Sequence, residues 1–141
     1  MAVQRADRIT ETGREKERFS DFLTDLTPHP NTKDLVKVRN IDAVRRSVRN
    51  LILTNRYERL MAPDVGSNIK KLLFEPFSGP VANLIKQYVI ETIGNFEPRA
   101  KVIKVEATPN EINQSYRVDI YFYVINIPDP VSLTVTLYRV R

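Results

Sequence analysis

The stretch Asn95-Phe96-Glu97-Pro98-Arg99 marks the point where a helical pattern gives way to a strand pattern. Pro98 fixes its own φ at about −65° and cannot continue a helical hydrogen-bond ladder. The residue before a proline is pushed out of the α region, so Glu97 is predicted to lie where helix ends and extended chain begins. Glu97 and Arg99 therefore stand at a rigid corner with opposite charges. Taken alone, the triplet is better explained by a helix stop with solvated charges, and its surroundings change that balance.

Helices are predicted before this corner, over about residues 40–95. Asn40 is a typical N-cap for a helix that runs to about residue 53. A second long helix is predicted over residues 81–94, and Gly94-Asn95 is a plausible stop signal. Its apolar face is predicted to contain Val81, Leu84, Ile85, Tyr88 and Thr92.

Strands are predicted after the corner, over about residues 101–140. The last of them, residues 131–140, alternates strictly between apolar and polar side chains. Its predicted inward residues are Val131, Leu133, Val135 and Leu137, and its predicted outward residues are Ser132, Thr134, Thr136 and Tyr138. We therefore predict one α+β domain over residues 20–141, with N-terminal helices packed on a C-terminal, mainly antiparallel β-sheet. Residues 1–19 are predicted to be a polar extension.

The composition is that of an ordinary globular protein, with 42% hydrophobic and 28% charged residues in a chain of 141. No apolar run approaches the roughly 18 residues of a membrane span, and the N-terminus lacks a signal-peptide core, so we expect no membrane association. With no cysteine, the chain has no disulfide framework or thiolate nucleophile. A single histidine, His29 between two prolines, cannot build a multi-histidine site, so we expect no metal or other cofactor.

The net charge of +5 raises the alternative of a nucleic-acid-binding module. The excess of positive charge is local: the stretch from residue 37 to residue 56 contains six basic residues and one acidic residue, Asp42. Three of these basic residues lie on the first long helix and form a candidate partner surface: Arg45, Arg46 and Arg49. A basic helix face suits an acidic protein neighbour as well as phosphates, and no glycine-rich phosphate loop accompanies it. We favour a protein partner over nucleic acid.

An ordered series of short motifs resembles the family of baseplate-wedge subunits that initiate the sheath of contractile phage tails. That family has a relative in the type VI secretion baseplate. The resemblance covers about residues 20–141, and its specificity lies in the order and spacing of the motifs. In chain order they are Phe19-Ser20-Asp21-Phe22-Leu23, Asn40-Ile41-Asp42-Ala43-Val44, Glu58-Arg59-Leu60-Met61, Pro63-Asp64-Val65-Gly66, Leu72-Leu73-Phe74-Glu75 and Glu97-Pro98-Arg99. One departure bears on a local turn: Tyr57 stands where the family often has a glycine before Glu-Arg.

The resemblance implies a structural role in a virion, in the baseplate of a contractile tail assembled in the host cytoplasm. By the same resemblance, Glu97, Pro98 and Arg99 dock on the helical core bundle of the wedge. The C-terminal strand, through Val131, Leu133, Val135, Leu137 and Tyr138, acts as the first layer of the tail sheath. The implied partners are the sheath protein, the wedge core-bundle proteins, and other baseplate and tube proteins. A component of a type VI secretion baseplate is the alternative that the motifs leave open.

The last strand also indicates a partner through its own sequence. It contains neither proline nor lysine, which proteins commonly place in an edge strand to prevent pairing with other chains. A central position in the sheet would make such protection unnecessary, and strand order cannot be read from sequence. Our hypothesis is β-augmentation, in which an extended arm of a sheath subunit adds to this strand.

A peptidoglycan hydrolase must be weighed, because members of the family have been labelled lysozyme-like. That reaction needs two carboxyl groups across a cleft, one of them held protonated. Glu97 and Glu75 are the available candidates, but the guanidinium of Arg99 near Glu97 favours the ionised form of that carboxyl. No nucleophilic triad is apparent either, so we expect no catalytic residues and no small-molecule substrate.

Overall fold

Helices occupy the middle of the chain and a three-stranded sheet occupies its C-terminal part. The structure is a computed structural model, and it describes residues 18–23 and 25–139. The elements are β1 (Ser20–Phe22), β2 (Lys37–Arg39), α1 (Asn40–Leu53), α2 (Ile69–Leu72), α3 (Gly79–Phe96), β3 (Ala100–Asn110), β4 (Ser115–Val124) and β5 (Pro130–Tyr138). The small antiparallel pair of β1 and β2 was not predicted from the sequence.

The main sheet is antiparallel with the strand order β3-β4-β5. One face of it is apolar and packs against α1 and α3, which gives a single core. The central strand contributes Val118, Ile120 and Phe122, none of which is measurably exposed. The predicted α+β class, with helices packed on an antiparallel sheet, is therefore confirmed.

Helix α3 ends later than predicted, and one residue of its predicted apolar face, Leu84, is exposed. The rest of that face is confirmed, because Ile85 and Thr92 are buried and Val81 and Tyr88 pack partly buried against the core. The helix continues through Gly94 to Phe96, and Glu97 is its C-cap with φ −128° and ψ 77°. A glycine ends a helix when it adopts a positive φ, and only Gly66 does so among the described glycines. The helix is instead stopped by Pro98, as the restriction on the preceding residue requires. Its buried residues are Ala82, Ile85, Val89, Thr92 and Ile93.

Asn40 was predicted to cap α1 with its side chain, and that prediction is wrong. The helix has no side-chain cap bond at its N-terminus. The Asn40 side-chain oxygen instead accepts a hydrogen bond from the backbone N–H of Arg18 (2.9 Å), and the Asn40 N–H donates to the carbonyl of Phe19 (2.8 Å). Asn40 has a φ of 48°, a left-handed conformation that asparagine tolerates better than most residues. It therefore fastens the segment before β1 to the start of α1.

The loop between α1 and α2 closes tightly on itself. The Ser67 hydroxyl donates to the carbonyl of Ile52 (2.7 Å), and the Ser67 N–H donates to the carbonyl of Thr54 (2.8 Å). Gly66 has a φ of +136°, and a Cβ atom there would lie 2.7 Å from the carbonyl oxygen of Asn55. Tyr57 has a φ of 69°, which is a left-handed conformation. The loop conformation therefore requires glycine at residue 66 and strains the tyrosine at residue 57.

Over the described ranges, the helices include none with the length and apolar character needed to cross a membrane. The same residues contain no group of three or more histidine, cysteine or acidic side chains placed to hold a metal ion.

Candidate functional site

The corner at residues 97–99 is organised by an internal ion pair. The Glu97 side chain is only 4% exposed, and its two oxygens accept hydrogen bonds from Arg99 Nε (2.6 Å) and Arg99 Nη2 (2.9 Å). The hydroxyl of Ser47, on α1, also donates to Glu97 Oε2. These bonds tie the end of α3 and the start of β3 to the middle of α1. We call Glu97, Arg99 and Ser47 the corner cluster.

The N-terminal segment packs against the corner cluster. The guanidinium carbon of Arg99 lies 5.5 Å from the centre of the Phe19 ring, within the range of a cation–π contact. Phe19 is partly buried against the core, so it belongs structurally with the domain that follows it. The Arg99 side chain remains 35% exposed, and Pro98 is exposed. The outer surface of the corner is therefore formed by Pro98 and the accessible third of Arg99, with Glu97 beneath them.

The electrostatics of the corner keep Glu97 ionised. Burial raises the pKa of Glu97, but hydrogen bonds from Arg99 and Ser47, together with the charge of Arg99, hold that pKa below its ordinary value. The hydrogen bonds to Glu97, together with the negative charge of that carboxylate, raise the pKa of Arg99. A general acid for glycoside cleavage needs the opposite shift, a carboxyl pKa raised towards neutrality. Glu75, the other sequence candidate, is exposed beyond the end of α2.

Strand β5 has the predicted alternation of side chains. Its buried residues are Val131, Leu133, Val135 and Leu137, and its exposed residues include Ser132, Thr134, Thr136 and Tyr138. The predicted end of the strand at Val140 is too late, because β5 ends at Tyr138 and Arg139 lies beyond it; residue 140 itself lies outside the described residues. Within the described chain, β5 pairs with β4 on one side and with no strand on the other. We call this outer side the β5 edge.

The direction of each backbone group on β5 follows from the register. The Arg139 N–H donates to the carbonyl of Gln114, so it points towards β4 (3.1 Å). Backbone groups alternate in direction along a strand, and the β4–β5 register has no shift. The odd-numbered residues, such as Val135, therefore bond to β4. The N–H groups of Ser132, Thr134, Thr136 and Tyr138 point to the β5 edge.

The candidate basic surface on α1 is only partly available. Arg45 forms an ion pair with Asp42 (3.0 Å), which neutralises part of the positive charge. Arg46 is half-buried and has an interaction of its own, whereas Arg49 is exposed. The structure therefore brings these residues together on one helix without making them a uniformly exposed cationic patch.

An apolar groove that the sequence did not predict lies beside the C-terminal end of β5, where Leu137 meets the end of α1 and helix α2. No spacing rule links these segments, because they are brought together only by the tertiary fold. The one available signal is the motif Leu72-Leu73-Phe74-Glu75, in which Phe74 stays exposed while Leu73 is buried.

Comparison with known proteins gives a consistent result. The sequence profile of the family described as baseplate wedge protein gp25 matches residues 38–128. The chain is 25% identical over 114 residues to the baseplate wedge protein gp25 of Enterobacteria phage T4, covering 81% of this chain and 86% of that protein.

Two solved structures are similar in fold. One, from Geobacter sulfurreducens and provisionally described as a tail lysozyme, has a TM-score of 0.65 and 28% identity, covering 71% of this chain and 91% of that one. The other is a chain of the anti-feeding prophage baseplate, with a TM-score of 0.60, 19% identity and 87% of each chain covered.

Proposed function

Because the chain belongs to the baseplate wedge protein gp25 family, we propose that it starts the contractile sheath of a phage tail, through the β5 edge, while its corner docks on the wedge core. Membership of the family makes it a structural baseplate subunit that assembles with other baseplate proteins in the tail of a virion. Sheath initiation, core docking and the residues that perform them are the parts that we propose.

The observation that carries the proposal is the chemistry of the β5 edge. Four consecutive outward N–H groups, from Ser132 to Tyr138, are presented beside exposed side chains that are small or uncharged. From Ser132 to Tyr138 this edge contains no proline, lysine or bulge, and the one proline of β5, Pro130, stands at its first residue, so this stretch favours the addition of another strand. Backbone hydrogen bonds to an added strand would supply affinity, and the alternating side chains would fix its register.

The geometry of the corner also supports the proposal. An arginine held by a buried carboxylate keeps its orientation before a partner arrives, which lowers the entropy lost on binding. Under the proposal, Pro98 and the accessible part of Arg99 touch the wedge core, and Glu97 acts by positioning Arg99. Glu97 cannot itself reach a partner in this conformation, because its side chain is 4% exposed and both oxygens accept internal bonds.

We also propose that the chain does not hydrolyse peptidoglycan. The relative from phage T4 is named for a place in the baseplate, whereas the one from Geobacter sulfurreducens carries a lysozyme description. The lowered pKa of Glu97 supports the structural role, because an ionised carboxylate has no proton to give to a leaving group.

The test is a proline substitution that removes one outward N–H. Thr136→Pro deletes a backbone donor on the β5 edge and leaves the bonds to β4 intact, whereas Val135→Pro would damage the sheet itself. Thr136→Val is the matched control, since it keeps the N–H and nearly the same shape. Tails assembled with Thr136→Pro are expected to have baseplates and tubes without sheath in electron micrographs, and Thr136→Val tails are expected to be normal. Normal sheaths on Thr136→Pro baseplates would refute the proposal.

A further inference from the structure

A groove of about 250 Å³ lies beside the β5 edge, between the end of α1, helix α2 and the last residues of β5. Its walls are mainly apolar and include Ile52, Leu53, Ile69, Leu73, Phe74 and Leu137. Phe74 is 60% exposed, which leaves a large apolar side chain at the rim in contact with water. The volume is below the 300–1,000 Å³ that is typical of small-molecule sites, and it suits one or two side chains of a protein.

The groove and the β5 edge are continuous. Thr136, Leu137 and Tyr138 belong to both, so a chain that pairs with the end of β5 must pass along the groove. Neighbouring strands lie about 4.8 Å apart, and directly opposite residues project from the same face of a sheet. A partner residue opposite Leu137 would therefore project to the core side of the sheet and enter the groove.

The charge at the groove favours an acidic occupant. Among the described residues that line it, Lys70 is the one charged residue. Lys71 and Arg139 are also exposed, one beside Lys70 on α2 and the other directly after β5. A carboxylate two positions from the apolar residue of the partner strand would project from the same face and meet this positive charge. Exposed pairs of this kind contribute more to the rate and orientation of association than to affinity.

We propose that this groove determines which strand can pair with β5, by recognising the side chains of that strand. The occupant is an extended arm of the sheath subunit, with a large apolar residue that fills the groove and an acidic residue two positions away, on the same face of the strand, that faces Lys70. The inference rests on the proposed function, because it assumes that the β5 edge receives such an arm. It adds a specificity element that backbone pairing alone cannot supply.

Binding of purified sheath subunit to the purified full chain tests this inference. Phe74→Ala removes an apolar wall and is expected to weaken binding about tenfold, which corresponds to roughly 1.4 kcal/mol. Lys70→Glu is expected to weaken it several-fold at low salt and less at high salt. The matched controls are Ile112→Ala, at the exposed turn between β3 and β4, and Lys101→Glu, exposed on β3. Both controls are expected to bind within twofold of the parent chain.

The chain contains no cysteine, so a fluorophore attached to a single introduced cysteine can show directly whether the groove becomes covered on binding. An environment-sensitive fluorophore on Phe74→Cys is expected to shift to shorter wavelength when the sheath subunit binds, and one on Ile112→Cys is not. Melting temperatures of all variants establish that each is folded. If Thr136→Pro abolishes binding while Phe74→Ala and Lys70→Glu bind normally, the groove inference is wrong and the proposed function stands. If Thr136→Pro also binds normally, the role of the β5 edge is wrong, and the groove inference is wrong with it.

Discussion

Replacement of Arg99 by alanine probes the corner cluster most sharply. It leaves the Glu97 carboxylate buried with the Ser47 hydroxyl as its remaining side-chain partner. Removal of one member of a buried ion pair typically costs about 3–5 kcal/mol. Because the Arg99 side chain is 35% exposed, water can reach part of the vacated space, and we discount the cost to about 2 kcal/mol. For a chain of this length that corresponds to a fall in melting temperature of roughly 6–10 °C.

The assay is thermal unfolding of four proteins: the parent chain, Arg99→Ala, Glu97→Gln and the double variant. The double variant is expected to be more stable than the sum of the single effects predicts, because it removes the buried charge together with its partner. Arg99→Lys is the control that keeps the charge but loses the two-pronged contact. Equal melting temperatures for the parent chain and Arg99→Ala would refute the reasoning.

The same cluster predicts a pH dependence. The pKa of Glu97 is lowered in the folded chain, so the unfolded chain binds more protons as the pH falls. The stabilisation from Glu97 is therefore complete above the ordinary pKa of a glutamate, about 4.3, and is lost as the pH falls through the lower folded value. We expect the difference in melting temperature between the parent chain and Arg99→Ala to shrink below about pH 4. A difference that stays constant from pH 7 to pH 3 would contradict this.

Wedge incorporation separates an internal role of Arg99 from a docking role. If the corner docks on the wedge core, Arg99→Ala should remain folded at 25 °C and still fail to enter assembled wedges. The loss of one partner in an interface charge pair typically costs about 2–5 kcal/mol. A large melting shift with normal incorporation would show that the pair is purely structural and would remove the docking proposal.

Three further outcomes are expected. Tyr57→Gly should raise the free energy of unfolding by up to about 1 kcal/mol, because glycine adopts the left-handed conformation of residue 57 without strain, at a modest entropic cost. Tyr57→Ala, which keeps a Cβ atom in that conformation, should not raise the free energy of unfolding measured by chemical denaturation. Gly66→Ala should lower the melting temperature strongly, because its Cβ would lie 2.7 Å from backbone atoms of Asn55; an unchanged melting temperature would rule out this loop conformation. The purified chain should not clear peptidoglycan, and clearing that disappears in Glu97→Gln would establish catalysis.

The parts of the fold that the sequence predicted are those with strong local patterns. β5 was read correctly because one of its faces is buried and the other exposed, which imposes a period of two on the sequence. The end of α3 was placed at Gly94 because glycine is a frequent stop signal, but Gly94 is exposed with open space around it and stays helical. The buried face of α3 was predicted except at two positions, with Leu84 exposed and Val89 buried, because apolar residues occur on more than one side of this helix.

The candidate site could be predicted in part, because some of its residues are close together in the sequence. The nearness of Glu97 and Arg99 could be predicted, because they lie two residues apart on either side of Pro98. The third member of the corner cluster, Ser47, lies 50 positions away and carries no signal of its own. Asn40 was misread as a cap because its side chain bonds across 22 residues to Arg18. Such contacts are set by packing of distant segments, which single-sequence patterns do not encode.

Electron cryomicroscopy of the junction between baseplate and sheath tests the central claim most directly. The claim predicts an additional strand from a sheath subunit paired along the β5 edge, with backbone bonds to Ser132, Thr134, Thr136 and Tyr138. It also predicts that the β4–β5 register of the isolated chain is unchanged at the junction. A map in which the first sheath layer contacts another surface, and the β5 edge faces solvent, would contradict the claim.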